Sequence, residues 1–492
     1  MKRRFDQSQT PLFTAMKTHC SRTTIHMDVP GHKQGAGARE LREYYGETTL
    51  RADLNSMYGM DNLLSPSGVI MEAERLAADL FGADAAYFLV NGTTSAIQTM
   101  ILAACKPGDK IIIPRNVHKS VINALILSGA VPIYVQPEFS TRFGLTVCVS
   151  AEEYIKTIEE NQDAKAVLVI NPTYYGFVCD IKTVCDVAHS YGMMVLADEA
   201  HGTHLYFHDG LPIGAMDAGA DMAGLSVHKT GGSFTQSSIL LLSERYLSRS
   251  YVKTIANLTH TTSASYLLMS SLDVARKQLA ENGEEMIQRT IEIADEIKRR
   301  VAETGLYHVV PDPSDPVSAF GYDKTKVVLN LRNLDITGVY MFDLLAGEYD
   351  IYVEFGDADN ILLIPGIGST FEEIPDIVNA LEEIGRKHYT KDKRLAIDRS
   401  WFNVNMIFTP RNSFYKQKKR IPFQDAVGQI SAEFVMFYPP GIPILAPGEL
   451  ITKDAYDYIM LLLEENATIT GIEDPTASTI NVIVPEDDDM FR

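Results

Sequence analysis

The feature that most constrains this fold is a series of short apolar runs alternating with helical spacing between Ala85 and Leu242. AAYFLV (85–90), KIIIP (110–114), VPIYV (131–135), AKAVLVI (164–170), MMVLAD (193–198), Asp221–Ser226 and Ser238–Leu242 each read as a strand. Between them AIQTMILAAC, Val121–Leu127 and Ile181–Tyr191 carry apolar residues at helical intervals. Continuously apolar strands are covered on both faces, since a strand with one wet face alternates instead. The pattern predicts βαβ units around a mostly parallel sheet, an α/β fold. Such sheets bind ligands beyond the C-terminal ends of their strands. Polar clusters fall at those ends: NGTTS (91–95), RNVHKS (115–120), NPTYYG (171–176), DEAHGTH (198–204) and SVHKT (226–230).

The flanking sequence has a different texture. PGHKQGAG (30–37) and SPSG (65–68) punctuate short helical pieces, so residues 1–80 read as an arm and entry segment. Residues 81–290 read as the large domain, and the charged helical run over Leu267–Thr304 as a long connecting helix. Lys326–Leu331 and Asn360–Pro365 read as strands of a smaller α+β domain, residues 291–390. Residues 391–492 form a C-terminal domain containing FYPPGIPILAPGE (437–449), with a solvated EDDD tail at 486–489.

Composition narrows the function classes. At 46% hydrophobic and 22% charged residues, the 492-residue chain is neither disordered nor collagen-like. With 44 basic against 64 acidic side chains the net charge is −20, which gives no global field for nucleic acid or an anionic membrane. Any anion must be held by a local site. The cysteines, at 20, 105, 148, 179 and 185, form no CxxC pair, which argues against a disulfide framework or zinc site. The start MKRRFDQSQTPLF has no apolar signal core. No stretch approaches the ~18–20 apolar residues of a membrane span, so a cytoplasmic setting is expected.

Several residues at the strand ends suit specific chemistry. Lys229 in SVHKT is a candidate amine nucleophile: desolvation at a strand end lowers a lysine pKa, and a neutral amine forms an imine with an aldehyde. A solvated loop lysine is the plain alternative. Asp198 closes MVLAD and suits pairing with a pyridinium nitrogen, although a turn or cap aspartate looks the same. NGTTS, between strand and helix, suits a phosphate held by free N–H groups, and equally plain N-capping. His118 suits stacking on an aromatic cofactor, or a loop hydrogen bond. His201, His204 and His208 are spaced HxxHxxxH, but the HExxH pattern of a metal site is absent and no metal is expected.

Taken together, TPLFTAMKTH (10–19), DVPGHKQG (28–35), NGTTSA, IIIPRNVHKS, NPTYYG, ADEAHGTH, SVHKT and YPPGIPILAPGE resemble the ornithine/lysine/arginine decarboxylase family. That family consists of fold-type-I enzymes dependent on pyridoxal 5′-phosphate (PLP), with an aspartate-aminotransferase-like large domain. The resemblance implies that Lys229 holds the PLP aldehyde and Asp198 the pyridine nitrogen. His118 would stack over the ring and Ala200 pack beneath it. Thr93, Thr94, Ser226 and His228 would bind the phosphate, with His201 near the ring's phenolic edge or the substrate. Thr173 is a weaker contact candidate, and Glu354 and Glu449 are candidate substrate-side acids. The implied reaction is decarboxylation of a basic amino acid, with polyamine synthesis as its setting. Long inducible members carry a wing domain ahead of the arm. This chain begins almost at the arm and is similar to the short biosynthetic-type form, which points to arginine and agmatine. Lysine (to cadaverine) and ornithine (to putrescine) remain alternatives. A homodimer or higher homo-oligomer with active sites at the interface is implied.

Rival classes are weighed by single features. A cysteine desulfurase shares SxHK but needs a late nucleophilic cysteine, and none follows Cys185. An aminotransferase needs a carboxylate-clamping arginine, for which Arg332 or Arg411 are nominees. A non-catalytic regulator or polyamine-binding scaffold on the same fold would have no need of Lys229, Asp198 and His118 together.

Overall fold

The computed structural model describes residues 4–312, 319–391, 405–437, 441–464 and 467–484. The EDDD tail, the first three residues and Tyr438–Pro440 of the proline-rich motif lie outside the described residues. The chain divides into two compact units, Met1–Ala104 with Met194–Arg289, and Cys105–Met193 with Thr290–Arg492.

In the first unit, strands Ala85–Leu89, Ser238–Leu242, Met222–Leu225 and Met194–Asp198 lie side by side in that order. All residues of the first three are buried, as their unbroken apolar sequence requires. Met194–Asp198 and Met222–Leu225 are parallel, with Ala197 opposite Ala223. Ser238–Leu242 runs antiparallel to both of its neighbours. The connection before it carries only the four-residue helix Val227–Thr230, too little to cross a sheet face and return parallel.

Helix Gly92–Ala104 packs so closely on this layer that a β-carbon at Gly224 would lie 2.9 Å from that of Ala96. It starts four residues earlier than apolar spacing alone indicates, so Gly92–Ser95 form its first turn. The N-terminal arm carries helices Pro11–Cys20, Arg39–Ala52 and Val69–Leu80. The first is fixed by the long helix Tyr266–Glu303, whose Asp273 carboxylate accepts the backbone N–H groups of Leu12 and Phe13 at 3.0 and 3.2 Å.

In the second unit, strands Ala166–Ile170, Lys110–Pro114 and Val131–Val135 are parallel. Helices Ala151–Glu160 and Ile181–Ser190 begin at the side-chain caps Ser150 and Asp180. An antiparallel sheet of His308–Val310, Val327–Asn330, Asn360–Leu363 and Phe355–Gly356 packs its apolar residues with Met341, Leu345, Leu381 and Ile384 from two helices. The C-terminal part pairs Lys418–Pro422 with Thr479–Ile483, and Val435–Phe437 with both Pro443–Leu445 and Ile469–Thr470. Helix Lys453–Glu464 closes its core through Ala455, Ile459 and Leu462.

Candidate active site

Two adjacent parallel strands of the first unit end in the residues with the most chemical promise. Met194–Asp198 ends in a buried carboxylate whose Oδ1 accepts the Ala200 N–H at 3.2 Å. Burial raises the Asp198 pKa, while the Ala200 N–H and the Lys229 charge pull it down. A carboxylate this far from water favours a cationic partner. Glu199, next in sequence, is also buried, accepting the Tyr206 hydroxyl at 2.6 Å and the Ala215 N–H at 2.7 Å. Those bonds anchor the turn from which Asp198, Ala200 and His201 project.

Lys229 lies on the short helix after Met222–Leu225, with Nζ 2.9 Å from His201 Nε2. It is exposed while Ser226, Val227 and Thr230 are buried. The expected desolvation of this amine is therefore corrected: packing within the chain buries the residues around Lys229 and not Lys229 itself. His228 donates from Nδ1 to the Ser237 carbonyl at 2.8 Å, and burial lowers its pKa.

Three hydroxyls meet at the start of helix Gly92–Ala104. Thr93 Oγ1 is 2.6 Å from Ser226 Oγ and 3.2 Å from Ser238 Oγ, and all three residues are buried. Thr94, half-buried, is on the same turn. Gly92 has φ +67°, and a β-carbon there would meet nothing within 4 Å. Gly92 donates its own N–H to the Gln236 carbonyl at 2.8 Å, and the N–H groups of the next residues, at the start of a helix, have no partner one turn back, a setting that suits an anion. Ser238 was not apparent as a member of this cluster. It begins a strand in the sequence reading, and its contact with Thr93 spans 145 positions.

The second unit places the other candidates. His118 caps helix Lys119–Ser128, its Nδ1 accepting the Ser120 N–H at 3.2 Å, which leaves the ring proton on Nε2. Thr173 is buried and closes the NPTYYG turn by accepting the Phe177 N–H at 3.0 Å. Glu354 accepts the Tyr174 hydroxyl and Asp357 that of Tyr175, with Phe355 edge-on to the Tyr174 ring and tilted against that of Tyr175. Glu449 is buried, 3.0 Å from Arg115 and 2.7 Å from the Ala446 N–H it accepts. Burial raises its pKa and Arg115 opposes the rise. Its carboxylate thus has partners within its own unit, a different setting from an acid open to substrate. Arg332 and Arg411, the nominees for a carboxylate clamp, each donate to a backbone carbonyl, of Arg142 and Leu127 respectively.

Among the described residues no group of histidine, cysteine and acidic side chains is arranged to hold a metal. His208 instead bonds Gln288 and accepts the Gly210 N–H. None of the five cysteines is in a disulfide.

The donor set fits PLP: hydroxyls and N–H groups for a phosphate, a buried carboxylate for a ring cation, and an accessible amine for an aldehyde. Parallel α/β layers with this set at their strand ends define the fold-type-I PLP enzymes. Residues 10–364 match the model of the Orn/Lys/Arg decarboxylase major domain, and residues 403–479 that of the family's C-terminal domain. The arginine decarboxylases of Bacillus anthracis and Bacillus subtilis (strain 168) are each 44% identical to this chain, over 98% and 97% of it and 98% of each relative. The structure of lysine decarboxylase A from Pseudomonas aeruginosa shares the fold, with a TM-score of 0.83 over 96% of this chain and 80% of that one at 22% identity. The chain belongs to the Orn/Lys/Arg decarboxylase family and is a carboxy-lyase of that class.

Proposed function

We propose that this enzyme uses PLP to convert L-arginine to agmatine and CO2. The observation that carries this reading is the 44% identity to arginine decarboxylases along nearly the whole chain. In this reading Thr93, Thr94, Ser226 and His228 hold the phosphate, and Asp198 holds the proton on the pyridine nitrogen. Lys229 engages the cofactor aldehyde, with His201 at 2.9 Å orienting its amine. His118 and Ala200 flank the ring. Bound there, PLP supplies an electron sink for the pair left on Cα when the carboxylate departs as CO2, and a proton takes its place. The protein's part is orientation: the scissile bond must stand across the plane of that π system. Glu354, already bonded to Tyr174, is the acid assigned to the guanidinium, a group that suits a carboxylate fork. Thr173 supports the adjoining turn.

The same reading places the enzyme in the cytoplasm, in polyamine synthesis, and as a homodimer or larger homo-oligomer with active sites at the interface. Five cysteines with no disulfide among them suit a reducing compartment. No helix of the described residues is long and apolar enough to cross a membrane. Functionally the chain divides into an arm (1–80), a PLP-binding domain (81–290), a small domain (291–390) and a C-terminal domain (391–492).

The test is stoichiometric. The PLP-loaded protein is incubated separately with arginine, lysine and ornithine, and CO2 is quantified with the matching amine. Equal CO2 and agmatine from arginine is the expected result. Cadaverine or putrescine in place of agmatine would overturn the substrate, and no CO2 from any of the three would overturn decarboxylation.

A further inference from the structure

The loop that carries His118 is gripped on both sides by one stretch of the C-terminal part. Arg115, three residues before His118 and 1% exposed, donates from Nη1 to the Pro443 carbonyl at 2.9 Å. Its Nη2 donates to the Ile444 carbonyl at 3.2 Å and to Glu449 at 3.0 Å. Lys119, the residue after His118, donates its backbone N–H to the Gly441 carbonyl at 3.1 Å. The gripping stretch is itself fixed. Ser431 donates its N–H to the Glu449 carbonyl and accepts that of Gly448, both at 2.8 Å. Gly448 has φ +97°, and a β-carbon there would lie 2.2 Å from the Phe408 carbonyl oxygen, so only glycine fits.

A buried ion pair is a poor device for stability alone, because apolar replacements often serve as well. Its specific use is to select one arrangement: a guanidinium with three acceptors in one small region has a single way to sit. His118 then inherits its place from a loop fixed at Arg115 and Lys119, and its ring is held by the Ser120 N–H. We infer that Glu449 and Arg115 are positioning residues that set His118 for its work beside the cofactor, making the 441–449 segment part of the catalytic apparatus. This rests on the proposed placement of His118 against PLP.

The test is a double-mutant cycle on the full chain. Glu449→Ala, His118→Ala and the double variant are compared by kcat, by KM for arginine and by visible circular dichroism of bound PLP. Misplacement of a catalytic group by about 1 Å costs ~100-fold in rate. Glu449→Ala is expected to lower kcat by roughly 10- to 100-fold and to alter the PLP dichroism as His118→Ala does. The double variant is expected to be no worse than His118→Ala alone. Glu449→Gln, which still accepts from Ala446 and Arg115, is expected to restore most of both signals.

Losses that multiply in the double variant would overturn the inference, as would a raised KM with unchanged kcat and dichroism, the signature of an acid on the substrate. If His118→Ala leaves dichroism and kcat intact, the placement of His118 fails, and the inference falls with it whatever Glu449→Ala shows. If Glu449→Ala does not fold, Arg115→Lys takes its place in the same cycle, judged by the same criteria.

Discussion

Glu74 accepts the Phe88 N–H at 2.9 Å from a buried position. Burial pushes its carboxyl up to about 7, against the pull of Lys253 and the Phe88 N–H. In the unfolded chain the same group ionises near 4.5. Between those values the folded protein binds more protons than the unfolded one, so this group's contribution to stability falls as pH rises through that window. A gap of this size corresponds to roughly 3 kcal/mol. Glu74→Gln keeps an acceptor for Phe88 and removes the titration. From pH 5 to pH 8 its unfolding free energy, from urea titrations followed by circular dichroism, should gain up to roughly 3 kcal/mol relative to the unaltered protein. A difference that stays constant over that range refutes the assignment. Glu74 attracts no attention in the sequence, whereas Asp198 stands out because it closes an apolar run, and Lys229 because it follows closely after one. Glu199 is less so: an acid beside an acid shows its role only when Tyr206 and the Ala215 N–H are seen to satisfy it.

Elements follow the same division between local and distant causes. Most of the strands between Ala85 and Leu242 are legible because burial on both faces leaves an unbroken apolar signature, although Val131–Val135 is only partly buried. The reversed direction of Ser238–Leu242 is not, since direction depends on what the connection can span. The long helix expected over 267–304 is found as Tyr266–Glu303, but its hold on the arm is invisible in sequence. There Arg276 donates to the Gln7 carbonyl at 2.6 Å, to the Gln9 carbonyl, and to Asp273 at 2.8 Å, with both charged side chains fully buried. Burial raises the Asp273 pKa, with Arg276 and the two arm N–H groups as its compensation. Arg276→Ala removes the main compensation and leaves a buried acid, which costs about 3–5 kcal/mol in comparable pairs. The expected outcome is rapid tryptic cleavage within residues 4–20 under conditions in which the unaltered protein resists, read by mass spectrometry. Equal resistance in both proteins would show that the arm is held by its apolar contacts alone.

At the scale of the whole molecule, the chemistry is legible and the long-range supports are not. Arg115 and Glu449 are separated by 334 positions, and each looks ordinary in its own neighbourhood. Self-association belongs to this scale too. The first unit leaves Ile25, Met27 and Tyr58 at 88%, 89% and 97% exposure, against a core whose aliphatic residues are nearly all excluded from water. Scattered apolar residues on a surface are ordinary, but these three all fall within the arm and entry segment, whose other apolar residues, such as Leu12, Met60 and Ile70, are buried. Burying such side chains gains about 25 cal/mol per Å2. Each copy also carries a net charge of −20, so two copies repel at long range and salt screens that repulsion. The homo-oligomer reading therefore makes a two-part prediction for light scattering. The unaltered protein at micromolar concentration should show at least twice the chain mass, with dissociation weaker at 0.5 M than at 0.05 M salt, where the screening length falls from roughly 14 Å to about 4 Å. Met27→Glu combined with Tyr58→Glu should shift the mass toward that of one chain while circular dichroism stays unchanged. A monomer in the unaltered protein refutes self-association, and an unshifted mass in the double variant moves the interface away from the arm.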